Sequence, residues 1–303
     1  MVPRITPIRP FNKDEWAFYM ERMEKVEMKN IGFLGAGSMT EAMIEGMISR
    51  QFVTPDRIVI MNRTNAHRLA ELEEKYGVRT LQNAEMLLRH SNVLVLAMKP
   101  IDAAQALESI QPFLTDQHVI ISVLAGITTS YIEGSIQTKT PIVRVMPNTS
   151  AAIGYSATAI ARGEYATDEH LSFTQKLFET IGTVVQVREE KLNAITGLSG
   201  SGPAYFYYMV ECMEKAAILN GIDQKTARQL IIQTITGAAK MLNETNFEAS
   251  HLRERVTSPG GTTQAGLTIL EKYKYEEAIT ACITEAGKRS EELGKHLERQ
   301  NHF

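Results

Sequence analysis

Short runs of apolar residues alternate with amphipathic segments up to about residue 190. The runs, rich in Val, Ile and Leu, are residues 30–34, 57–61, 93–98, 118–124 and 142–146. Segments with helical spacing of apolar positions lie between them, at residues 40–49, 83–90 and 100–110. Continuous apolar runs are typical of parallel strands, because both faces of such strands are buried. The alternation predicts an α/β fold with a parallel sheet, helices on both faces, and edge strands at 156–161 and 183–187.

The pattern changes near Glu190, beyond which only helical spacing is found. Helices are predicted at residues 203–219, 224–242, 264–273 and 275–293. The predicted domains are therefore an N-terminal extension at 1–28, an α/β domain at 29–188 and an all-helical domain at 189–303. Within the extension, apolar residues from Trp16 to Val26 recur at helical spacing. This predicts a short amphipathic helix, which packs either on its own domain or against another subunit.

A glycine-rich turn follows the first apolar run directly. Residues 30–34 lead into Gly35-Ala36-Gly37-Ser38-Met39, and a helix and a second strand come next. A strand, glycine turn, helix and strand within about 30 residues form the first unit of a Rossmann dinucleotide-binding domain. Gly35 permits the tight turn, and Gly37 lets the backbone approach a pyrophosphate. Thr40 takes the third glycine position, and this departure leaves the local helix–strand packing open.

The residues after the second strand predict the type of dinucleotide. NAD-binding proteins usually place Asp or Glu there, to bind the ribose hydroxyls. This chain has Asn62-Arg63-Thr64 instead. Arg63 can pair with a 2′-phosphate, and Asn62 and Thr64 can donate hydrogen bonds to it. The sequence therefore predicts NADPH as the cofactor, with NADH as a possible substitute.

Other cofactor contacts are expected at the carboxyl ends of the strands, where ligands of such sheets bind. Small residues there let the cofactor pass close to the backbone. Lys99 is either a cofactor ligand or a solvated surface lysine. The predicted cofactor-binding residues are Gly35, Ala36, Gly37, Ser38, Met39, Asn62, Arg63, Thr64, Asn83, Ala97, Met98, Lys99, Pro100 and Ala125.

A second glycine-rich turn lies near the C-terminus, at residues 257–263. Pro259, Gly260 and Gly261 predict a turn, and Thr262 or Thr263 can cap the helix that follows. The amides of Gly260, Gly261 and Thr262 would then be free at a helix N-terminus, which favours an anion. The segment is either an anion site or an ordinary capped helix.

Composition narrows the function further. The 303 residues are 44% hydrophobic and 22% charged, a balance typical of globular proteins. A net charge of −3 gives no electrostatic reason to expect nucleic-acid or membrane binding. Cys212 and Cys282 are predicted to be core thiols, and no metal-binding spacing is present. Neither a transmembrane run nor a secretory signal is found, so we expect a cytoplasmic protein.

Several motifs together resemble the Δ1-pyrroline-5-carboxylate reductase family. They are residues 35–39, Leu96-Ala97-Met98-Lys99-Pro100, Arg144-Val145-Met146-Pro147-Asn148-Thr149, residues 196–205, and residues 257–263 with 265–267. The resemblance covers residues 30–290, and Ser150 and Thr40 depart from the family pattern. It implies a Rossmann domain, helical domains that interlock into a homodimer, and further assembly of dimers.

The resemblance also implies the site of the substrate. In the family, the substrate lies between the nicotinamide and the loop that matches Ser258–Thr263. Ser258, Gly260, Gly261, Thr262 and Thr263 are therefore expected to bind substrate. Thr263 matches the family threonine that hydrogen-bonds the ring nitrogen, and is the expected catalytic residue.

The chemistry of imine reduction suits this sequence. A ketone reductase needs a general acid, yet none of the seven histidines lies in a motif. A cyclic imine can arrive protonated and accept hydride directly. The predicted function is the reduction of Δ1-pyrroline-5-carboxylate to L-proline by NADPH, the last step of proline biosynthesis, with the substrate carboxylate held by the Ser258–Thr263 turn.

Two other functions remain open. A β-hydroxyacid reductase needs Lys and Asn four residues apart on the long helix, whereas Lys215 and Asn220 are five apart. A non-catalytic NADP sensor on the same fold would not need the turn at 258–263.

Overall fold

The structure is a computed structural model that describes residues 29–300. The helix predicted within residues 1–28 lies outside the described residues. The described chain forms two compact units. The sheet unit comprises residues 29–203 and 282–300, and the helical unit comprises residues 204–281.

An eight-stranded sheet forms the centre of the sheet unit, in the order β3-β2-β1-β4-β5-β6-β7-β8. All neighbouring strands are parallel except β6 and β7, which are antiparallel. The strands are β1 Ile31–Leu34, β2 Ile58–Met61, β3 Arg79–Leu81, β4 Val93–Leu96, β5 Val119–Ser122, β6 Ile142–Met146, β7 Ser156–Arg162 and β8 Gly182–Gln186. The predicted α/β fold and the predicted edge strand β8 are confirmed, whereas β7, also predicted at an edge, lies between β6 and β8.

Helices cover both faces of the sheet, as the sequence predicts. Those of the sheet unit are α1 Ser38–Ser49, α2 Ala66–Tyr76, α3 Ala84–Arg89, α4 Ala103–Ile110, α5 Thr129–Ile136, α6 Asp168–Glu179 and α7 Leu192–Ile195. A π-helical turn, Thr196–Gly200, follows α7. In the sheet unit, the prediction omitted helices α2, α5, α6 and α7 and strand β3. Helix α2 buries only Leu69 and Leu72, and β3 is three residues long with one buried side chain, so neither leaves a strong apolar pattern.

Alternate residues of the central strands enter two separate cores, because successive side chains of a strand point to opposite faces. In β4, Val93 and Val95 enter the core under α1, α2 and α6, whereas Leu94 and Leu96 enter the core under α3, α4 and α5. Strands β1, β2, β5 and β6 divide in the same way. This double burial accounts for the unbroken apolar runs of the sequence.

The helical unit buries very little by itself. It contains α8 Gly202–Leu219 from Ala204 onward, α9 Gln224–Glu244, α10 Ala249–Arg255, α11 Thr262–Lys272 and the first turns of α12 Tyr275–Gln300. Among residues 204–281, only Ala227 and Ile231 have buried apolar side chains. Such a small core cannot offset the entropy of ordering these residues, so the unit requires a covering partner.

Large apolar side chains lie exposed on the helical unit. They include Phe206, Tyr207, Tyr208, Leu219, Leu230, Ile232, Ile269 and Tyr273, with Leu219 87% exposed. Cys212 is exposed and Cys282 is half-buried, so the prediction of core thiols was wrong for Cys212. The apolar spacing of α8 gave that prediction, and spacing does not distinguish a core from an interface.

The part of α12 beyond Cys282 packs closely on the rest of the sheet unit. A Cβ atom at Gly294 of α12 would lie 2.1 Å from the Gly126 carbonyl oxygen, and one at Gly197 would lie 2.4 Å from the Ile283 carbonyl oxygen. A buried polar cluster holds the same region. Arg144 donates to Asn193 Oδ1 at 2.9 Å, and Ser290 Oγ donates to the same oxygen at 3.0 Å.

These contacts explain why the compact units do not follow the predicted domain boundary. Residues 189–203 and 282–300 belong to the sheet unit through glycine contacts and hydrogen bonds. The boundary between an α/β domain and a helical domain at residues 188 and 189 stays a prediction. None of the described helices is long and apolar enough to cross a membrane.

The Gly294 contact predicts an unusual outcome for a helical glycine. Gly294→Ala should lower the free energy of unfolding by about 1–3 kcal/mol, because the new methyl meets backbone that has no room to move. Gly134→Ala in α5 is the matched control. Its Cβ would meet nothing within 4 Å, so the substitution should be neutral or stabilise by up to about 1 kcal/mol. Urea unfolding of both variants measures the difference, and equal stability would contradict the close contact.

Candidate functional site

A cavity of about 650 Å³ lies at the carboxyl ends of β1, β2 and β4. This is where open α/β sheets bind their ligands. Its lining combines the first glycine turn, the residues after β2 and the residues after β4. The lining residues are Leu34, Gly35, Ala36, Gly37, Ser38, Met39, Met61, Asn62, Arg63, Thr64, Asn65, Arg68, Ala97, Met98, Lys99, Asp102, Gln105, Ala106 and Ser109.

The glycine turn has the geometry of an anion cradle. Gly35 has φ +116°, and a Cβ there would lie 2.5 Å from the Ala97 carbonyl oxygen, so only glycine fits. Gly37 is the N-cap of α1 and has no side-chain cap hydrogen bond. A Cβ at Gly37 would meet nothing within 4 Å, so protein packing does not explain this glycine. Open space beside a helix N-terminus fits a pyrophosphate.

The departure at Thr40 has a local explanation. Its side chain is fully buried, and its hydroxyl donates to the Gly35 carbonyl oxygen at 3.0 Å. Thr40 therefore fastens the first turn of α1 to the glycine turn. Thr40, which stands where the fingerprint has its third glycine, therefore stabilises the turn through this hydrogen bond.

The loop after β2 is ordered by its own side chains. Asn62 Oδ1 accepts from the amides of Thr64 and Asn65 at 3.1 and 3.3 Å. Asn65 then caps α2, accepting from the Arg68 amide at 2.9 Å. The carbonyl of the Asn62 side chain is thus engaged in the loop, and its NH₂ group is the part that suits a phosphate.

Arg63 reaches across the cavity mouth. Its guanidinium donates to Gln105 Oε1 and pairs with Asp102 Oδ1 at 3.4 Å. The side chain is 56% exposed, which leaves it accessible to a ligand. Asp102 and Gln105 were not predicted from the sequence, because the pattern of dinucleotide-binding folds places an acid at the end of the second strand and not after β4.

Arg68 is a further basic residue that lines the cavity, and it was not predicted from the sequence. Its Nε donates to the Ala36 carbonyl oxygen at 3.2 Å, and its guanidinium pairs with Glu41 and with Glu71. Arg68 therefore links α2 to the glycine turn and to α1. Its position three residues into α2, a helix that was not predicted, gave no signal in the sequence.

Glu41 completes this cluster in the first turn of α1. Hydrogen bonds from Lys75 and Arg68 lower the pKa of Glu41 to about 2. A carboxylate near a helix N-terminus also interacts favourably with the helix dipole. The cluster holds the glycine turn against α2.

Three predicted cofactor residues do not line the cavity. Asn83 caps α3 and accepts from the Met86 amide at 2.9 Å. Pro100 opens a 3-10 turn, Pro100–Asp102, and Ala125 lies beside the Gly126 turn. The other eleven predicted residues line the cavity, and their binding roles stay predictions.

The second glycine turn lies in the helical unit. Gly260 has φ +72°, and the Gly261 amide donates to the Ser258 carbonyl oxygen at 3.0 Å. Helix α11 begins at Thr262 with Gly261 as its N-cap and no side-chain cap hydrogen bond. The prediction that Thr262 or Thr263 caps this helix was therefore wrong, because the chain enters the helix one residue earlier.

The prediction that the amides of Gly260 and Gly261 are free was also wrong. The Gly260 amide donates to Gln264 Oε1 at 2.6 Å, and the Gly261 amide is used within the turn. The amides of the first helical turn, including Thr262, have no intrahelical acceptor, as at any helix N-terminus. An anion bound here would accept hydrogen bonds from the amides of the first turn of α11. To reach the Gly260 amide it would have to displace Gln264 Oε1.

Two family models match the chain. Residues 189–293 match the model for pyrroline-5-carboxylate reductase dimerisation, and residues 30–126 match the model for F420-dependent NADP oxidoreductases. The first match covers most of the helices beyond β8. The second covers the glycine turn and the strands that form the cavity.

Curated relatives match along nearly the whole chain. Pyrroline-5-carboxylate reductase 2 of Bacillus subtilis is 46% identical over 279 residues, which are 90% of this chain and 100% of that protein. The pyrroline-5-carboxylate reductase of Arabidopsis thaliana is 34% identical over 89% of this chain and 97% of its own.

Solved structures give the same result. A pyrroline-5-carboxylate reductase from Coxiella burnetii superposes with a TM-score of 0.81 at 34% identity, covering 88% of this chain and 99% of that one. The Plasmodium falciparum pyrroline carboxylate reductase, solved with NADP bound, has a TM-score of 0.81 at 25% identity, with 88% and 99% coverage.

The Glu41 cluster predicts a pH-dependent contribution to stability. Because folding lowers the pKa of Glu41, its contribution is complete above the unfolded value of 4.5 and is lost as the pH falls toward about 2. Glu41→Gln should cost about 1 kcal/mol at pH 7, less than full linkage gives because solvent screens the partners. The difference from wild type should shrink below pH 4.5.

Urea unfolding at pH 7, 4 and 3 measures this effect. Glu74→Gln is the matched control, since Glu74 is an exposed glutamate of α2 with no ion pair to any described residue. A deficit of Glu41→Gln that stays constant from pH 7 to pH 3 would contradict the assignment.

Proposed function

The chain belongs to the pyrroline-5-carboxylate reductase family, and from that premise we propose which of its residues bind the cofactor, which bind the substrate and which one is catalytic. It is an NAD(P)H-dependent oxidoreductase that reduces Δ1-pyrroline-5-carboxylate to proline. The cofactor supplies the hydride, and the protein supplies binding, orientation and electrostatics.

The observation that carries the cofactor assignment is the open space at Gly37. A glycine that packing does not require, at the N-terminus of α1 and on a cavity wall, suits a pyrophosphate. The residues 35–39 hold the pyrophosphate, and Ala97 and Met98 let the cofactor pass along the ends of the strands. Lys99 lies on the same cavity wall and supplies positive charge to the phosphates.

Arg63 selects NADPH over NADH in this proposal. It is an accessible guanidinium at the end of β2, with the Thr64 side chain and the Asn62 amide group beside it on the cavity wall. A guanidinium and two hydrogen-bond donors match a 2′-phosphate better than a ribose hydroxyl.

The substrate carboxylate is held by the turn Ser258–Thr263. Ser258, Gly260, Gly261, Thr262 and Thr263 supply hydroxyl and amide donors, and the helix dipole of α11 favours the negative charge. Because Gln264 Oε1 already accepts from the Gly260 amide, the carboxylate replaces a hydrogen bond that the turn makes with itself.

Thr263 acts as the catalytic residue by hydrogen-bonding the ring nitrogen. An imine that binds in its protonated form needs no further acid, so a single aligned hydroxyl and a fixed carboxylate orient the carbon that accepts hydride. No described group of three or more His, Cys, Asp or Glu side chains is arranged to hold a metal ion.

The chain forms homo-oligomers through its dimerisation domain. The exposed apolar side chains of α8, α9 and α11 form the surface that a second copy covers. Further assembly of these dimers and a cytoplasmic location also belong to the proposal.

The β-hydroxyacid reductase alternative finds no support in the helical unit. Asn220 lies beyond the end of α8, and its Nδ2 donates to the Ala216 carbonyl oxygen at 2.8 Å. It terminates the helix and does not form a pair with Lys215. The sensor alternative is excluded if the chain oxidises NADPH in the presence of pyrroline-5-carboxylate.

Thr263→Ala tests the substrate turn. Losing one aligned hydrogen bond of about 1.5–3 kcal/mol should lower kcat/KM for pyrroline-5-carboxylate by about 10- to 100-fold. NADPH oxidation measures the rate. Thr268→Ala is the matched control on the same helix, because the Thr268 hydroxyl donates to the Gln264 carbonyl oxygen of its own helix, at 3.0 Å. A rate unchanged in Thr263→Ala would remove this residue from the mechanism.

Arg63→Asp tests cofactor selection. Wild type should have a higher kcat/KM with NADPH than with NADH, and the substitution should reverse that order, since a carboxylate repels the 2′-phosphate and accepts from ribose hydroxyls. Steady-state rates with both cofactors decide the matter. Arg89→Asp, which alters an exposed arginine of α3 outside the cavity, should leave the ratio as in wild type.

A further inference from the structure

Asp102 is an acid placed where the proposed cofactor site needs positive charge. Its carboxylate lies 3.4 Å from the Arg63 guanidinium. Gln105, one helical turn further on, accepts from the same guanidinium. Both side chains come from the segment after β4, whereas Arg63 comes from the loop after β2, so the contact spans the cavity mouth.

The other charged side chains that line the cavity are basic. Among the described residues that line the cavity, Asp102 is the one acid, and Arg63, Arg68 and Lys99 are the basic residues. The Arg68 guanidinium already has two carboxylate partners, Glu41 and Glu71. Asp102 is therefore the negative group that faces Arg63.

The local fold of α4 gives Asp102 no other task. Asp102 occupies the N-cap position of α4, where aspartate commonly accepts a hydrogen bond from the helix amides. Here it makes no such cap hydrogen bond. The carboxylate is committed to Arg63 and not to its own helix.

From this geometry we infer that Asp102 is a specificity-determining residue that weakens the preference for the phosphorylated cofactor by competing with the 2′-phosphate for Arg63. Binding of the 2′-phosphate requires the guanidinium to leave Asp102. Binding of a cofactor with a free 2′-hydroxyl does not, so the chain retains use of both cofactors. This inference rests on the proposed role of Arg63.

The sign of the effect distinguishes this role from simple support of Arg63. If Asp102 only oriented the guanidinium for the phosphate, its removal would weaken binding of the phosphorylated cofactor. Competition has the opposite consequence, since the isosteric Asn keeps the shape of the side chain and removes its charge. The pair is partly exposed, so the expected change is moderate.

Calorimetric titration of the full-length protein with NADP+ and with NAD+ tests the inference without an activity assay. Asp102→Asn should lower the Kd for NADP+ by about three- to tenfold and leave the Kd for NAD+ within about twofold. In an Arg63→Gln background, Asp102→Asn should change neither Kd by more than about twofold. Unchanged NAD+ binding also shows that the variant is folded.

Asp168→Asn is the matched control. It removes the same charge and another Asp–Arg ion pair, with Arg162, at a position that does not line the cavity. Both Kd values should stay as in wild type.

The remaining outcomes overturn the inference in distinct ways. Unchanged or weaker NADP+ binding in Asp102→Asn would show that Asp102 does not compete. Equal tightening with and without Arg63 would indicate plain repulsion of the phosphate. Wild type that binds NADP+ no tighter than NAD+, or Arg63→Gln with no effect on NADP+, would overturn the proposed role of Arg63 and this inference with it. If wild type binds NADP+ more tightly than NAD+ and Asp102→Asn leaves both Kd values unchanged, this inference is overturned and the proposed role of Arg63 stands.

Discussion

The contact between the backbones of Gly35 and Ala97 is the constraint on which the cavity depends. Strands β1 and β4 pair in parallel, so their carboxyl ends meet, and no side chain fits between them at Gly35. The chain must turn sharply there with a positive φ, and it can then begin α1 at once. Thr40 and Arg68 secure that turn from two sides, through the carbonyl oxygens of Gly35 and Ala36. The packing requirement at Gly35 thus places the N-terminus of α1 on the cavity wall, whereas the open space at Gly37 has no such packing explanation.

Much of the sheet unit could be predicted from the sequence, because burial on both faces leaves continuous apolar runs. The lateral elements were harder. Helix α2 and strand β3 carry few buried residues, and missing them also hid Arg68. Asp102 and Gln105 were missed for another reason: they act on Arg63 from 39 and 42 residues away along the chain, and only the fold brings them together.

The turn at 258–263 shows a different limit. The sequence predicted a turn here, and the structure has one with Gly260 at φ +72°, but the sequence did not show which amides the turn would use internally. A glutamine four residues beyond Gly260 takes one of them, and the turn itself takes another. Hydrogen-bond competition of this kind depends on the side-chain rotamer of one residue, which local propensity does not encode.

Because the helical unit buries few side chains, its stability depends on the concentration of the partner subunit. Because Ala227 and Ile231 are the only apolar residues described as buried between 204 and 281, the ordering of that segment depends on how much partner is present. For such a dimer, each tenfold dilution of the protein removes about 1.4 kcal/mol from the free energy that holds the unit together. The sheet unit buries large cores of its own on both faces of the sheet, so its stability depends much less on dilution. Dilution therefore acts unequally on the two units: it weakens the unit that carries the turn proposed to bind substrate well before the unit that carries the cavity proposed to bind the cofactor.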